Sequence, residues 1–152
     1  MRIPEDVTSL GSIVALITRT LKTQGYDPAP LLSQAGINPE DSCNANARIP
    51  TIRTIQLWRL SIAATGDPAF GLTVAHHFQP AVLHGLGFAW LASDTLRDAL
   101  GRLVKYSHLI NALPDFRLDD TENTVDLVVT VPDLGEDFSH AATDAGLAIF
   151  LR

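Results

Sequence analysis

Cysteine occurs once among the 152 residues, at Cys43. That excludes a disulfide framework within the chain and suits a reducing, cytoplasmic setting. No apolar run approaches the roughly 18 to 20 residues that a membrane span needs. The N-terminus, MRIPEDVTSLGS, brings acids early and lacks the apolar core of a secretory signal. Positive charge is scarce where DNA contact would require it. Residues 1–76 balance six acids with six bases, but residues 77–152 carry eleven acids against five bases. Asp115 to Asp137 alone holds eight acids, opposed only by Arg117. Such a surface repels a phosphate backbone, so no residue of this chain is assigned to DNA contact.

Catalytic patterns are missing as well. There is no G-x-S-x-G elbow, P-loop or paired-carboxylate motif. Gly85-Leu86-Gly87 begins like a dinucleotide fingerprint, yet the third glycine position falls on Trp90 and no strand precedes it. Cys43 sits in a polar stretch with no identifiable base or orienting group, which a nucleophile needs. His76, His77 and His84 cluster in sequence, but no cysteine pair or nearby acid accompanies them. The expectation is therefore no catalytic residue, no metal site and no cofactor. LLSQAGINPE could open a helix-turn-helix, but an Asn- and Pro-rich loop with two acids follows where a reading helix should be.

What is present is a globular composition, 46% hydrophobic and 18% charged, in a chain long enough to bury most of its apolar surface. Leu83–Ile110 organises the rest. Thr95-Leu96-Arg97-Asp98 fits a capping box, a hydroxyl at the N-cap with an acid three residues on. Leu96, Ala99, Leu100, Leu103, Val104 and Ile110 then recur at helical spacing, predicting a helix from 95 to about 112 behind a short apolar segment at 82–92.

Upstream, Leu10, Ile13, Val14, Ile17 and Leu21 predict a helix over Thr8–Gln24, stopped by Gly25. Asp27-Pro28 opens a short helix ended by Gly36, and residues 37–49 read as a polar loop. Pro50-Thr51 starts a helix whose buried side is expected at Ile52, Ile55, Leu60 (or Trp58) and Ile62, ending at Gly66. Asp67-Pro68 opens another through PAFGLTVAHHF.

After Pro114 the period changes from helical to two. Phe116 and Leu118, then Val125, Leu127, Val129 and Val131, alternate with polar residues around the tip Asp119–Asn123, predicting a β-hairpin over 115–131. Pro132–Asp137 reads as loop and SHAATDAGLAIFLR as helix, apolar all round at Leu147–Leu151 and so expected to be buried on most sides. One hairpin makes a marginal sheet. The fold class expected is α+β, with a mainly helical N-terminal two-thirds packed on a small antiparallel sheet that starts with the 115–131 hairpin. The missing neighbours of the hairpin and last helix would come from residues beyond 152 or from a second copy.

Small-molecule binding is the function class left. Pockets are mostly apolar and aromatic with a few polar groups, and Trp58, Phe70, His77, Trp90, Tyr106 and His108 are the candidate ligand-binding side chains. Each also fits plain core packing.

A family resemblance adds to this. Gly85 and Gly87 with the apolar run behind them, then Ser93, Thr95, Leu96, Ala99, Leu100 and Tyr106, resemble the sensor domain of AraC-type transcription regulators, the arabinose-binding-like branch and not the cupin type. Arg48-Ile49-Pro50, Gly66-Asp67-Pro68, Phe70-Gly71-Leu72, Ala75 and the Gly25-Tyr26-Asp27 opening extend the resemblance to about Leu10–Arg152. The resemblance implies a cytoplasmic, ligand-sensing and dimerising N-terminal domain spanning 1–152, truncated at its end. It would bind a small-molecule effector, form a homodimer, keep clear of membranes, and act on a promoter only through a C-terminal helix-turn-helix region absent here. The alternative from another class is a ligand-free oligomerisation module.

Overall fold

The computed structural model describes residues 3–121, 123–133 and 139–151. The first element is a strand, β1 (Thr8–Leu10), running directly into helix α1 (Gly11–Thr23). This corrects the single helix expected from Thr8. β1 pairs antiparallel with β2 (Arg48–Pro50), Thr8 opposite Pro50 and Leu10 opposite Arg48. On its other side the Leu10 amide donates to the Ile110 carbonyl at 2.8 Å and the Ala112 amide to that of Thr8 at 3.1 Å. Both partners are distant in sequence, so a local helical pattern could not reveal them.

Arg48 fastens this junction. Its guanidinium donates to Thr8 Oγ1 at 3.0 Å and to the Leu109 carbonyl at 2.6 Å, joining both strands to the segment before the hairpin. The segment expected as a plain polar loop over 37–49 thus contains β2 and also a short helix, α3 (Pro39–Cys43), after α2 (Ala29–Gln34). α3 starts where Asn38 Oδ1 accepts the Glu40 amide, with Pro39 at the first position and acids in the first turn. Asp27 works similarly one residue ahead of its expected place, accepting the Ala29 amide at 3.0 Å.

α4 (Thr51–Thr65) and α5 (Phe70–His76) follow. Gly25, Gly36 and Gly66, predicted to stop helices, all lie at positive φ, which glycine adopts without steric cost. The buried side of α4 is rotated from the expected one. Thr54, Ile55, Leu57, Trp58 and Ser61 are buried, whereas Ile52, Leu60 and Ile62 are half-buried. Ser61 can lie inside because its hydroxyl donates to the Leu57 carbonyl at 2.7 Å.

A 3₁₀ turn, Pro80–Leu83, leads into α6 (His84–Leu91), then α7 (Leu96–Tyr106). α7 is capped as expected: Thr95 Oγ1 accepts the Asp98 amide at 3.1 Å, and the Asp98 carboxylate accepts the Thr95 hydroxyl at 2.7 Å. It ends earlier than predicted, at Tyr106, and a 3₁₀ turn at Ser107–Leu109 replaces its last turn. The hairpin forms from β3 (Asp115–Asp120) and β4 (Val125–Thr130), with Phe116 opposite Val129 and Leu118 opposite Leu127 on the inner face. Of the loop expected at Pro132–Asp137, residues 134–137 lie outside the described residues. α8 (His140–Phe150) closes the chain.

The class is α+β and mainly helical, with two small two-stranded sheets where one was expected. The main core joins α1, α2, α4, α5 and α8 through Ile17, Leu21, Leu57, Phe70 and Val74. α5 and α8 approach so closely that a Cβ on Gly71 would lie 2.1 Å from the Ala141 carbonyl oxygen. α8 is less buried than its apolar composition suggested. Ala141 and Ala145 are inside, yet Leu147 is exposed and Leu151 is 88% exposed. A second cluster, Leu10, Leu86, Leu100, Leu103 and Ile110, receives the half-buried inner face of the hairpin. At its edge Arg97 of α7 pairs with Asp120, whose hydrogen bond and charge hold the guanidinium above its ordinary pKa.

Candidate functional site

Between the two clusters lies a partly open cavity of about 210 Å³. α1 and α4 form one wall with Ile13, Ile55 and Trp58. The hairpin and α8 form the other with Phe116, Val129 and Phe150, and Leu86 and Leu103 close an end. The geometry follows from the chain's patterning. The hairpin's apolar face is presented to helices that already fill their own core, so the two surfaces meet without interdigitating completely.

Among the described residues no charged or histidine side chain lines this space. Of its polar side chains, Ser9, Thr51, Thr54 and Asn111 are occupied with one another, and Ser107 and Thr143 also line it. Ser9 and Thr54 hydroxyls lie 2.9 Å apart, and Thr51 donates to Asn111 Oδ1 at 3.4 Å, an oxygen that also accepts the Leu113 amide at 3.1 Å. Ser139 differs: its residue is 6% exposed and its Oγ has no hydrogen-bond partner among the described residues. It is the N-cap residue of α8, yet its side chain makes no cap hydrogen bond.

Of the residues singled out from sequence, Trp58 lines the cavity. Phe70 meets it edge-on, ring centroids 6.1 Å apart, but is fully buried in the main core. Trp90 stands behind the wall, its ring 5.7 Å from that of Phe150. The other three lie elsewhere. His77 follows the last residue of α5, its Nε2 3.4 Å from Thr23 Oγ1, Tyr106 lies under the Lys105 ammonium at 5.2 Å, and His108 is exposed in the 3₁₀ turn. The lining that sequence reasoning passed over is chiefly Ser9, Ile13, Thr54, Phe116, Phe150 and Ser139. One signal could have pointed there, namely an apolar hairpin face following helices whose own apolar stripes already match each other.

Helices and hairpin thus frame a space with no charged side chain among its described lining residues. Residues 25–152 match the family described as the arabinose-binding domain of AraC transcription regulators, N-terminal. The chain belongs to that family, which consists of ligand-sensing regulatory domains and not enzymes. The match begins somewhat later than the resemblance read from Leu10. No curated protein matches the chain.

The family's sequence features have structural explanations here. A Cβ on Gly87 would lie 1.9 Å from the Pro80 carbonyl oxygen, so α6 can pack on the preceding turn only with glycine there. Arg48-Ile49-Pro50 is β2, with Ile49 buried and Arg48 the fastening described above. Tyr106 is partly exposed and takes no part in the cavity.

Proposed function

We propose that a small-molecule effector occupies the cavity between the helices and the hairpin. Occupancy shifts the balance between arrangements of a homodimer and so changes promoter contact by a C-terminal DNA-binding region attached beyond this chain. The observation that carries the reading is the cavity itself, built from elements on both sides of it. An effector there would bear on α1, α4, α8 and the hairpin together, so binding can bias their relative placement. The acidity of residues 77–152 supports assigning DNA contact to another region. A panel of metabolites is tested by thermal shift, with light scattering on any hit. The expected result is a compound class that raises the melting temperature and alters the dimer population. Absence of stabilisation by every class would remove the reading.

A second reading, a ligand-free oligomerisation module, is favoured by exposed apolar side chains on the outside of α6. Phe88 is 60% and Leu91 66% exposed, one helical turn apart, and adjoining exposed apolar side chains are what an interaction surface offers. A monomer by light scattering at micromolar concentration would eliminate it.

A further inference from the structure

Resting on the reading of the cavity as the effector site, we propose that the effector is an uncharged, largely hydrocarbon molecule. It would be somewhat larger than benzene and held by one hydrogen bond to Ser139 Oγ. Size gives the first constraint. An apolar cavity of about 150 Å³ is known to take benzene, and this one measures about 210 Å³. That leaves room for a ring with a short substituent or a comparable acyl chain.

Charge gives the second. A carboxylate or ammonium brought here would meet no opposite charge among the described lining residues, and an unpaired buried charge is strongly disfavoured. Hydroxyl count gives the third. A sugar presents several donors and acceptors that each need a partner once buried. Here Ser9 is engaged with Thr54 and Thr51 with Asn111, which leaves the Ser107, Thr143 and Ser139 hydroxyls, too few to partner every group of a sugar.

Ser139 is the anchor, because its Oγ is the lining oxygen that is buried without a partner among the described residues. It is nine-tenths buried, lines the cavity and has an unpartnered hydroxyl. The same hydroxyl can donate to a carbonyl or accept from an alcohol, so it suits one polar group on an otherwise apolar ligand. A buried polar oxygen without a partner destabilises the empty protein. The position should therefore show opposite effects on stability and on binding.

The test uses four probes on the whole chain: 2-phenylethanol, ethylbenzene, phenylacetate and L-arabinose. Binding is followed by tryptophan fluorescence, since Trp58 lines the cavity, and by thermal shift. Two variants accompany the unaltered protein. Gly146→Leu fills the space, because a Cβ on Gly146 has no atom within 4 Å. Ser139→Ala removes the anchor without removing a cap hydrogen bond.

The expected result is that 2-phenylethanol and ethylbenzene bind, while phenylacetate and arabinose bind at least about tenfold more weakly. Gly146→Leu melts no lower than the unaltered protein and loses both ligands. Ser139→Ala melts no lower, binds 2-phenylethanol about fivefold more weakly, as one net hydrogen bond predicts, and leaves ethylbenzene unchanged. If arabinose or phenylacetate bound best and Gly146→Leu abolished it, the ligand class would be overturned but the cavity's role as effector site would stand. If no probe responded to Gly146→Leu, both this inference and the effector-site reading would fall. Unchanged 2-phenylethanol affinity in Ser139→Ala would overturn the anchor.

Discussion

The two main hydrophobic clusters of this molecule are packed differently. In the main core Ile17, Leu21, Leu57 and Phe70 are fully enclosed, and α5 meets α8 with no room for a methyl group at Gly71. On the hairpin side Phe116, Leu118, Leu127 and Val129 are only half-buried, and space remains between them and the helices. The first is packed for stability. The second keeps unfilled apolar surface, which lowers stability and leaves the cavity open. The contrast arises because two helices can interlock their ridges closely, whereas a lone two-stranded hairpin offers a nearly flat face covered from one side.

The sharpest way to break this comparison is truncation on each side. Leu57→Ala should lose about 3–5 kcal/mol, since an enclosed leucine leaves a cavity that cannot collapse. Leu127→Ala, on the half-covered hairpin face, should lose only about 1 kcal/mol. Urea unfolding of both variants measures the difference, and equal losses would mean the hairpin is as firmly packed as the core.

Next come two glycines on facing and non-facing positions. Gly71→Ala should cost about 3 kcal/mol or leave the chain unfolded, because its methyl would press on the Ala141 backbone. Gly146→Ala, with open space beside it in the interior of α8, should gain roughly 0.5–1 kcal/mol. Melting temperatures in the same buffer separate the two. A mild effect at Gly71 would show that α5 and α8 can separate easily, and the description of a tightly interlocked core would be wrong.

A smaller effect is expected at Thr95→Ala, about 1 kcal/mol, through loss of the amide it caps in α7. Chemical denaturation detects it. The smallest belongs to Arg97→Ala. The guanidinium and Asp120 meet in water, and its pKa is raised by that partner. A raised pKa contributes stability at every pH below the ordinary guanidinium value and loses it only as pH rises through the higher one. Stability around neutrality should therefore show no pH dependence from this pair, and scans with and without salt should barely move. A marked salt effect abolished by the substitution would show that the pair fastens the hairpin to α7.

Much of the chain was legible locally. The Thr95 cap, the three glycine stops and the Asp- and Pro-led helix starts are fixed by residues within four of one another, so their chemistry is written in the order of the residues; the Asn38 start of α3 lay in a stretch expected as loop. The hairpin was legible for the same reason, since period-two alternation survives without its partner helices. β1 and β2 were not, because each is three residues long and owes its conformation to a neighbour forty residues away. The rotated face of α4 was hidden because that helix borders both the core and the cavity, which blurs a one-sided pattern. Among the candidate ligand contacts, aromatic identity alone selected Trp58 together with Phe70, whose ring packs against it inside the core.

The sequence by itself determined the helical and hairpin segments, the acidic second half and membership in a sensor family, because each is a property of neighbouring residues or of their sum. The tertiary structure alone decided that Ser9, Trp58, Phe116 and Ser139 share one cavity with no charged side chain among its described lining residues. It also decided that the Ser139 hydroxyl finds no partner there among the described residues. Those facts depend on how completely two surfaces distant in the chain fill the space between them, and incomplete filling has no local pattern.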